Sequence, residues 1–125
     1  MSSAPLVRIY LYDRCDTCRK ARRFLESRGI PFTALSIRGQ PPTVAELQQM
    51  LRLTGDLRRL FNTSGQDYKA MDLKNRLPAL TETEALALLH AHGNLVKRPF
   101  LLLPDGGGTT GFKPAEWEAL FPGPS

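Results

Sequence analysis

Cys15 and Cys18 are the only cysteines of the chain, and two residues, Asp16 and Thr17, separate them. Arg19 and Lys20 follow at once. Two thiols at this spacing form a redox pair when they sit where a strand gives way to a helix. The turn brings the sulfurs close enough to bridge. The free N–H groups and dipole of the helix start favour thiolate over thiol at Cys15. Cys18, one helical turn on, is the more buried of the two and the natural resolving thiol. It attacks an adduct on Cys15, expels the reduced product and leaves a Cys15–Cys18 disulfide. Arg19 and Lys20 add positive potential. Two inert buried cysteines would not account for this placement.

The pair needs a strand before it and a helix after it. Val7 to Tyr12 is β-branched and aromatic and reads as a central strand. Residues 13–15 make the turn. Arg19 to Arg28 carries Ala21, Phe24 and Leu25 at helical spacing, with Gly29 suited to C′ and Pro31 blocking continuation. Pro31 to Ile37 reads as a second strand. Thr43 with Glu46, and Thr81 with Glu84, are capping boxes that open helices. A short helical piece spans Leu57 to Phe61, a weak one Tyr68 to Asn75, and an apolar helix Ala85 to His92. Residues 43–93 therefore read as a helical insertion. Phe100 to Leu103 is a buried strand, residues 104–108 a hairpin turn, and Thr109 to Phe112 its antiparallel partner. Pro114 suits helix position N1, Trp117, Leu120 and Phe121 form an apolar face, and Pro122 ends the helix. The order is βαβ, helices, ββα.

The bulk numbers suit one domain of 125 residues. The formal charge of +5 is basic but dispersed, with eight cations between Arg8 and Arg38 against three carboxylates. A nucleic-acid face needs a basic stripe with aromatic platforms, so direct nucleic-acid binding is not expected. Attraction of a small anion is. The start, Met1 to Pro5, lacks a charged segment followed by an apolar one. No apolar run has the length of a membrane span. A cytoplasmic location is expected, where paired cysteines are catalytic or redox-sensing more often than structural. A zinc site from Cys15, Cys18, His90 and His92 is not expected, because histidines two apart on a helix face different ways. They read instead as a helix-end pair bonding the last carbonyls.

In order along the chain, five stretches resemble one family. They are Cys15 to Arg22, Gly29-Ile30-Pro31-Phe32, Leu60 to Gly65 with Tyr68, Val96 to Phe100, and Gly111 to Pro114. The chain resembles the arsenate reductase (ArsC) family of thioredoxin-fold proteins, including its Spx/MgsR-type regulators. That resemblance implies an α/β, thioredoxin-like fold with a four-stranded mixed sheet. It covers residues 1–125 as one domain. By position, Cys15 matches the nucleophile, Arg98 the arginine closing the oxyanion site, and Pro99 the cis-proline beside the cysteines. Arg58 falls near a second oxyanion-binding arginine, with Arg59 expected on the opposite side. Lys113 stands where arsenate reductases carry a third arginine, and a lysine offers a point charge, not a fork. Cys18 replaces a serine common in those enzymes and is more typical of Spx-type proteins. The implied activity is thiol oxidoreduction on a small oxyanion or a disulfide, with no bound cofactor. Glutathione, glutaredoxin or thioredoxin would be the reductant, and a monomer is expected. The alternative is a redox-sensing regulator that binds the RNA polymerase α-subunit.

Overall fold

The computed structural model describes residues 7–12 and 14–121. Asp13 of the expected turn, the first six residues and Pro122 lie outside that range. Four strands form one mixed sheet in the order β2-β1-β3-β4: β1 is Val7–Leu11, β2 Phe32–Ser36, β3 Phe100–Leu102 and β4 Gly108–Thr110. β1 runs parallel to β2 and antiparallel to β3, and β3 runs antiparallel to β4. The sheet is therefore α/β and thioredoxin-like in arrangement, with β1 internal as its composition predicts.

Period-two alternation along the strands builds two cores. Val7, Ile9 and Leu11 of β1 and Leu101 of β3 point to one face. There they meet Cys18, Ala21 and Leu25 of helix α1 (Asp16–Ser27) and Trp117 of helix α6 (Pro114–Leu120). Tyr10, Phe100 and Leu102 point to the other face. They pack on Leu47 and Met50 of helix α2 (Val44–Thr54) and on Ala85, Leu86 and Leu89 of helix α5 (Glu82–Ala91). Two short helices, α3 (Gln66–Ala70) and α4 (Leu73–Arg76), complete the helical segment. Both capping boxes form, at Thr43/Glu46 and at Thr81/Glu84.

Several boundaries differ from expectation for local reasons. α1 begins at Asp16, three residues earlier than the apolar spacing shows, because Cys15 itself caps it. The run Tyr68 to Asn75 breaks at Asp72, whose φ of 52° is left-handed. β1 ends at Leu11 because Tyr12 turns: its carbonyl accepts the Cys15 N–H at 3.1 Å. β3 starts after Pro99, which has no N–H for a ladder. His90 does not bond its own helix end: its Nδ1–H donates to the Pro42 carbonyl at 2.9 Å and ties α5 to the loop before α2.

One buried polar cluster fastens α2 to the sheet. Glu46 accepts hydrogen bonds from the Tyr10 hydroxyl at 2.8 Å and the Thr43 N–H at 2.9 Å, and pairs with Arg8. Burial raises its carboxyl, but those three donors together outweigh it and leave the carboxyl below its ordinary value. The phenol of Tyr10 moves the other way, pushed up to about 12 by burial and then by Glu46.

Candidate functional site

Cys15 occupies the N-cap of α1 with extended backbone, φ −103° and ψ 119°. Its Sγ accepts the Cys18 N–H at 3.4 Å, the cap bond that Ser or Asp makes in other helices. Cys15 is partly exposed. Cys18, one turn in, is only 2% exposed and belongs to the α1/α6 core. Its Sγ accepts the Tyr12 N–H at 3.5 Å. Burial, above all, pushes the Cys18 thiol up to about 12. The Tyr12 N–H opposes it, and the neighbouring Cys15 adds to it through its hydrogen bond and its charge. Both cysteines are free thiols.

Cys15 opens onto a cleft of about 750 Å³. Six cations line it: Arg14, Arg58, Arg59, Lys97, Arg98 and Lys113. Among the described residues, Asp56 is the only carboxylate that does so, and its Oδ1 is engaged by the Arg58 N–H at 3.0 Å. Neutral polar groups, with Tyr12, Phe61, Gly111 and Phe112, make up the rest of the wall.

The positions of these cations follow from the fold. Arg98 precedes Pro99, and the Arg98–Pro99 peptide bond is cis. The Arg98 guanidinium lies 4.7 Å from the centre of the Tyr12 ring and donates to the Asn94 carbonyl at 3.2 Å. An aromatic face and a carbonyl thus fix a charge that is free on most surfaces. Arg58 and Arg59 sit on a four-residue 3₁₀ turn, Leu57–Leu60. The Thr110 hydroxyl of β4 donates to the Arg59 carbonyl at 2.8 Å and pins that turn beside the cleft. Lys113 stands at the N-cap of α6.

The structure therefore brings Cys15, Arg98, Arg58 and Lys113 together around one cleft, with Cys18 just beneath. Arg59 lies on the same cleft as Arg58, not opposite to it, because Leu60 takes the inward position of this short turn and leaves both arginines exposed. Arg19 does not reach the cleft. It is exposed and pairs with Asp16 at 3.0 Å. Arg14 and Lys97 also line the cleft, beyond the cations that the resemblance marks. Their signal was adjacency: one precedes the nucleophile, the other precedes Arg98. Among the described residues, no group of three or more His, Cys, Asp or Glu is placed to hold a metal ion. No helix there is long and apolar enough to cross a membrane.

The sequence model of the ArsC family matches residues 10–120. The uncharacterized protein YusI of Bacillus subtilis (strain 168) is 42% identical over 111 residues, 87% of this chain and 92% of YusI. The crystal structure of "a possible arsenate reductase from Streptococcus mutans UA159" superposes with a TM-score of 0.85. It is 35% identical and the match covers 93% of this chain and 98% of that one. The global transcriptional regulator Spx 1 of Oceanobacillus iheyensis is 30% identical over 98 residues, 78% of this chain and 73% of its own.

Proposed function

This chain belongs to the ArsC family, and from that premise we propose that it is a thiol oxidoreductase that reduces an anionic, oxidised substrate. The observation that carries the proposal is the division of labour between the cysteines. Cys15 is accessible and faces six cations, whereas Cys18 is buried and held as a thiol.

Cys15, as thiolate, attacks the electrophilic atom of the substrate: a sulfur of a disulfide, or the central atom of an arsenate-like oxyanion. With a disulfide, the S–S bond breaks and one thiolate leaves. With an oxyanion, a hydroxide leaves and takes up a proton to become water. Arg98, with Arg58 and Lys113, holds the negative charge of the substrate and of the leaving group. Once Cys15 is bonded, its charge is gone, and with it one of the influences that hold Cys18 protonated. Cys18 then loses its proton to the departing group and attacks Cys15 Sγ. The bonding pair leaves with the product, which is reduced by two electrons, and the two cysteines are left as a disulfide. Glutathione, glutaredoxin or thioredoxin returns the two electrons. The chemistry suits a reducing compartment such as the cytoplasm.

The decisive assay measures turnover of arsenate and of low-molecular-weight disulfides with glutathione and glutaredoxin, or with thioredoxin. Cys15→Ser should lower it by about 10³-fold or more, because the nucleophile is lost outright. Turnover that survives the substitution sinks the mechanism.

A second reading draws on the similarity to Spx 1 and on Cys18. Here the same thiol pair is a switch on a redox-sensing transcription regulator, and the partner is the RNA polymerase α-subunit. Under this reading the α-subunit is retained by one redox state of the protein and released by the other. Failure to retain it in either state removes the regulator reading.

A further inference from the structure

The size and charge of the cleft exceed what an inorganic oxyanion needs. At about 30 Å³ per heavy atom, a five-atom tetrahedral oxyanion occupies roughly 150 Å³, about one fifth of the 750 Å³ present. Its one or two charges are answered by two or three cations, yet six line the walls. The remainder is not apolar space for a hydrocarbon. Thr17, Asn62, Thr63, Ser64 and Thr110 supply donors and acceptors. Volumes of this order are typical of sites for organic ligands with several polar groups.

We propose that the cleft takes a small organic disulfide whose halves carry carboxylate or comparable anionic groups, with one sulfur at Cys15. The inference rests on the thiol–disulfide reading above and names the substrate class for the same site. Arg98 and Arg58 are joined by Arg14, Arg59 and Lys97 as cations that read the substrate's charges. The step balances: Cys15 thiolate displaces one organic thiolate, Cys18 displaces the second from Cys15, and the Cys18 proton goes to it. The organic disulfide gains two electrons and becomes one thiolate, which takes a proton from water, and one thiol, while the protein gains its Cys15–Cys18 disulfide.

The test uses the full reduced chain and three aliphatic disulfides: dithiodipropionate with two carboxylates, neutral hydroxyethyl disulfide, and cystamine with two ammonium groups. Formation of the Cys15–Cys18 disulfide is timed by acid quench and mass measurement. Each rate is divided by the rate of the same disulfide with mercaptoethanol, which removes differences in leaving-group strength. The normalised rate of the dianionic probe should exceed that of cystamine by about tenfold or more at low salt, and the ratio should fall as salt rises. The double substitution Arg59→Gln/Lys97→Gln should reduce the ratio at least about threefold, chiefly by slowing the dianionic probe. Normalised rates that do not depend on probe charge overturn the inference and leave the thiol–disulfide reading standing. Oxidation by none of the three probes overturns both.

Discussion

Cys18→Ser is expected to stop the reaction halfway. The protein should accumulate a covalent adduct on Cys15, visible as a mass increase of one half of the disulfide used less one hydrogen. In a single turnover with no external thiol present to resolve the adduct, release of the second half of the disulfide should fall by about 10²-fold or more. The reason is positional. Cys18 lies one turn below Cys15 and its N–H already contacts the Cys15 sulfur at 3.4 Å, so no other protein thiol competes for that bond. The two thiols should also separate in alkylation. Near pH 8 a small alkylating reagent should mark Cys15 and spare Cys18, because Cys18 is buried and its thiol is pushed up to about 12. The sign follows from the thiolate being the reactive species: raising pH toward that value should bring Cys18 labelling up, and lowering it should not. Equal labelling of both cysteines at pH 8, or undiminished single-turnover release of the second thiol by Cys18→Ser without added thiol, would show that Cys18 is not the resolving group.

The second large effect is on stability. Gly93→Ala would place a methyl carbon 1.9 Å from the Ile37 carbonyl oxygen and 2.9 Å from its carbon, with backbone on both sides of the contact. Neither partner is a side-chain tip that could swing away, so the chain itself must move. A loss of about 4 kcal/mol or more is expected, in the range reserved for backbone clashes and other named core defects. Chemical denaturation read by far-UV circular dichroism checks it, and a change under about 1 kcal/mol would mean that the approach relaxes freely. The consequence reaches the site. Gly93 opens the 3₁₀ turn Gly93–Leu95, and Asn94 in that turn presents the carbonyl that orients Arg98. A variant that does fold should therefore bind anions less well.

How legible the site was in the sequence depended on whether each feature is local. The two capping boxes form as written, because every atom in them lies within four residues. The cysteine pair is equally local: strand, turn and helix are consecutive, and the N-cap role of Cys15 follows from that order. Placement of Arg98 needed more than local reasoning. Resemblance put it near the cysteines, but its fixing by the Tyr12 ring and the Asn94 carbonyl joins the end of β1 to the loop before β3. Arg59 departs from expectation because helix-face logic assumes α-helical turns; in this four-residue 3₁₀ segment Leu60 alone is buried, both arginines are exposed, and Thr110 pins the Arg59 carbonyl. Arg19 failed for the opposite reason. Proximity to Cys15 in the chain suggested proximity in space, yet Asp16 engages it on the exposed side of α1. Lys97 and Arg14 were legible only as neighbours of better marked residues.

Between the end of β2 and the start of β3 the chain leaves the sheet, and the helical segment is stitched where it returns. Phe61 and Val96 form an isolated antiparallel bridge. The Asn62 N–H donates to the Leu95 carbonyl at 2.7 Å, and the Lys97 N–H to the Leu60 carbonyl at 2.8 Å. These bonds hold the residues after the Arg58–Arg59 turn against those before Arg98. The stretch between them is thus a loop whose mouth is closed by its own backbone. Closing a loop costs only slightly more as it lengthens, about 0.6 kcal/mol for each doubling. Within the closed stretch, α5 packs on the sheet and Asn94 holds Arg98, so only its exposed turns can change in number while the spacing of the cations on the two sides of the mouth stays fixed. One pair of residues therefore isolates the dimensions of the cation cluster from the length of those turns.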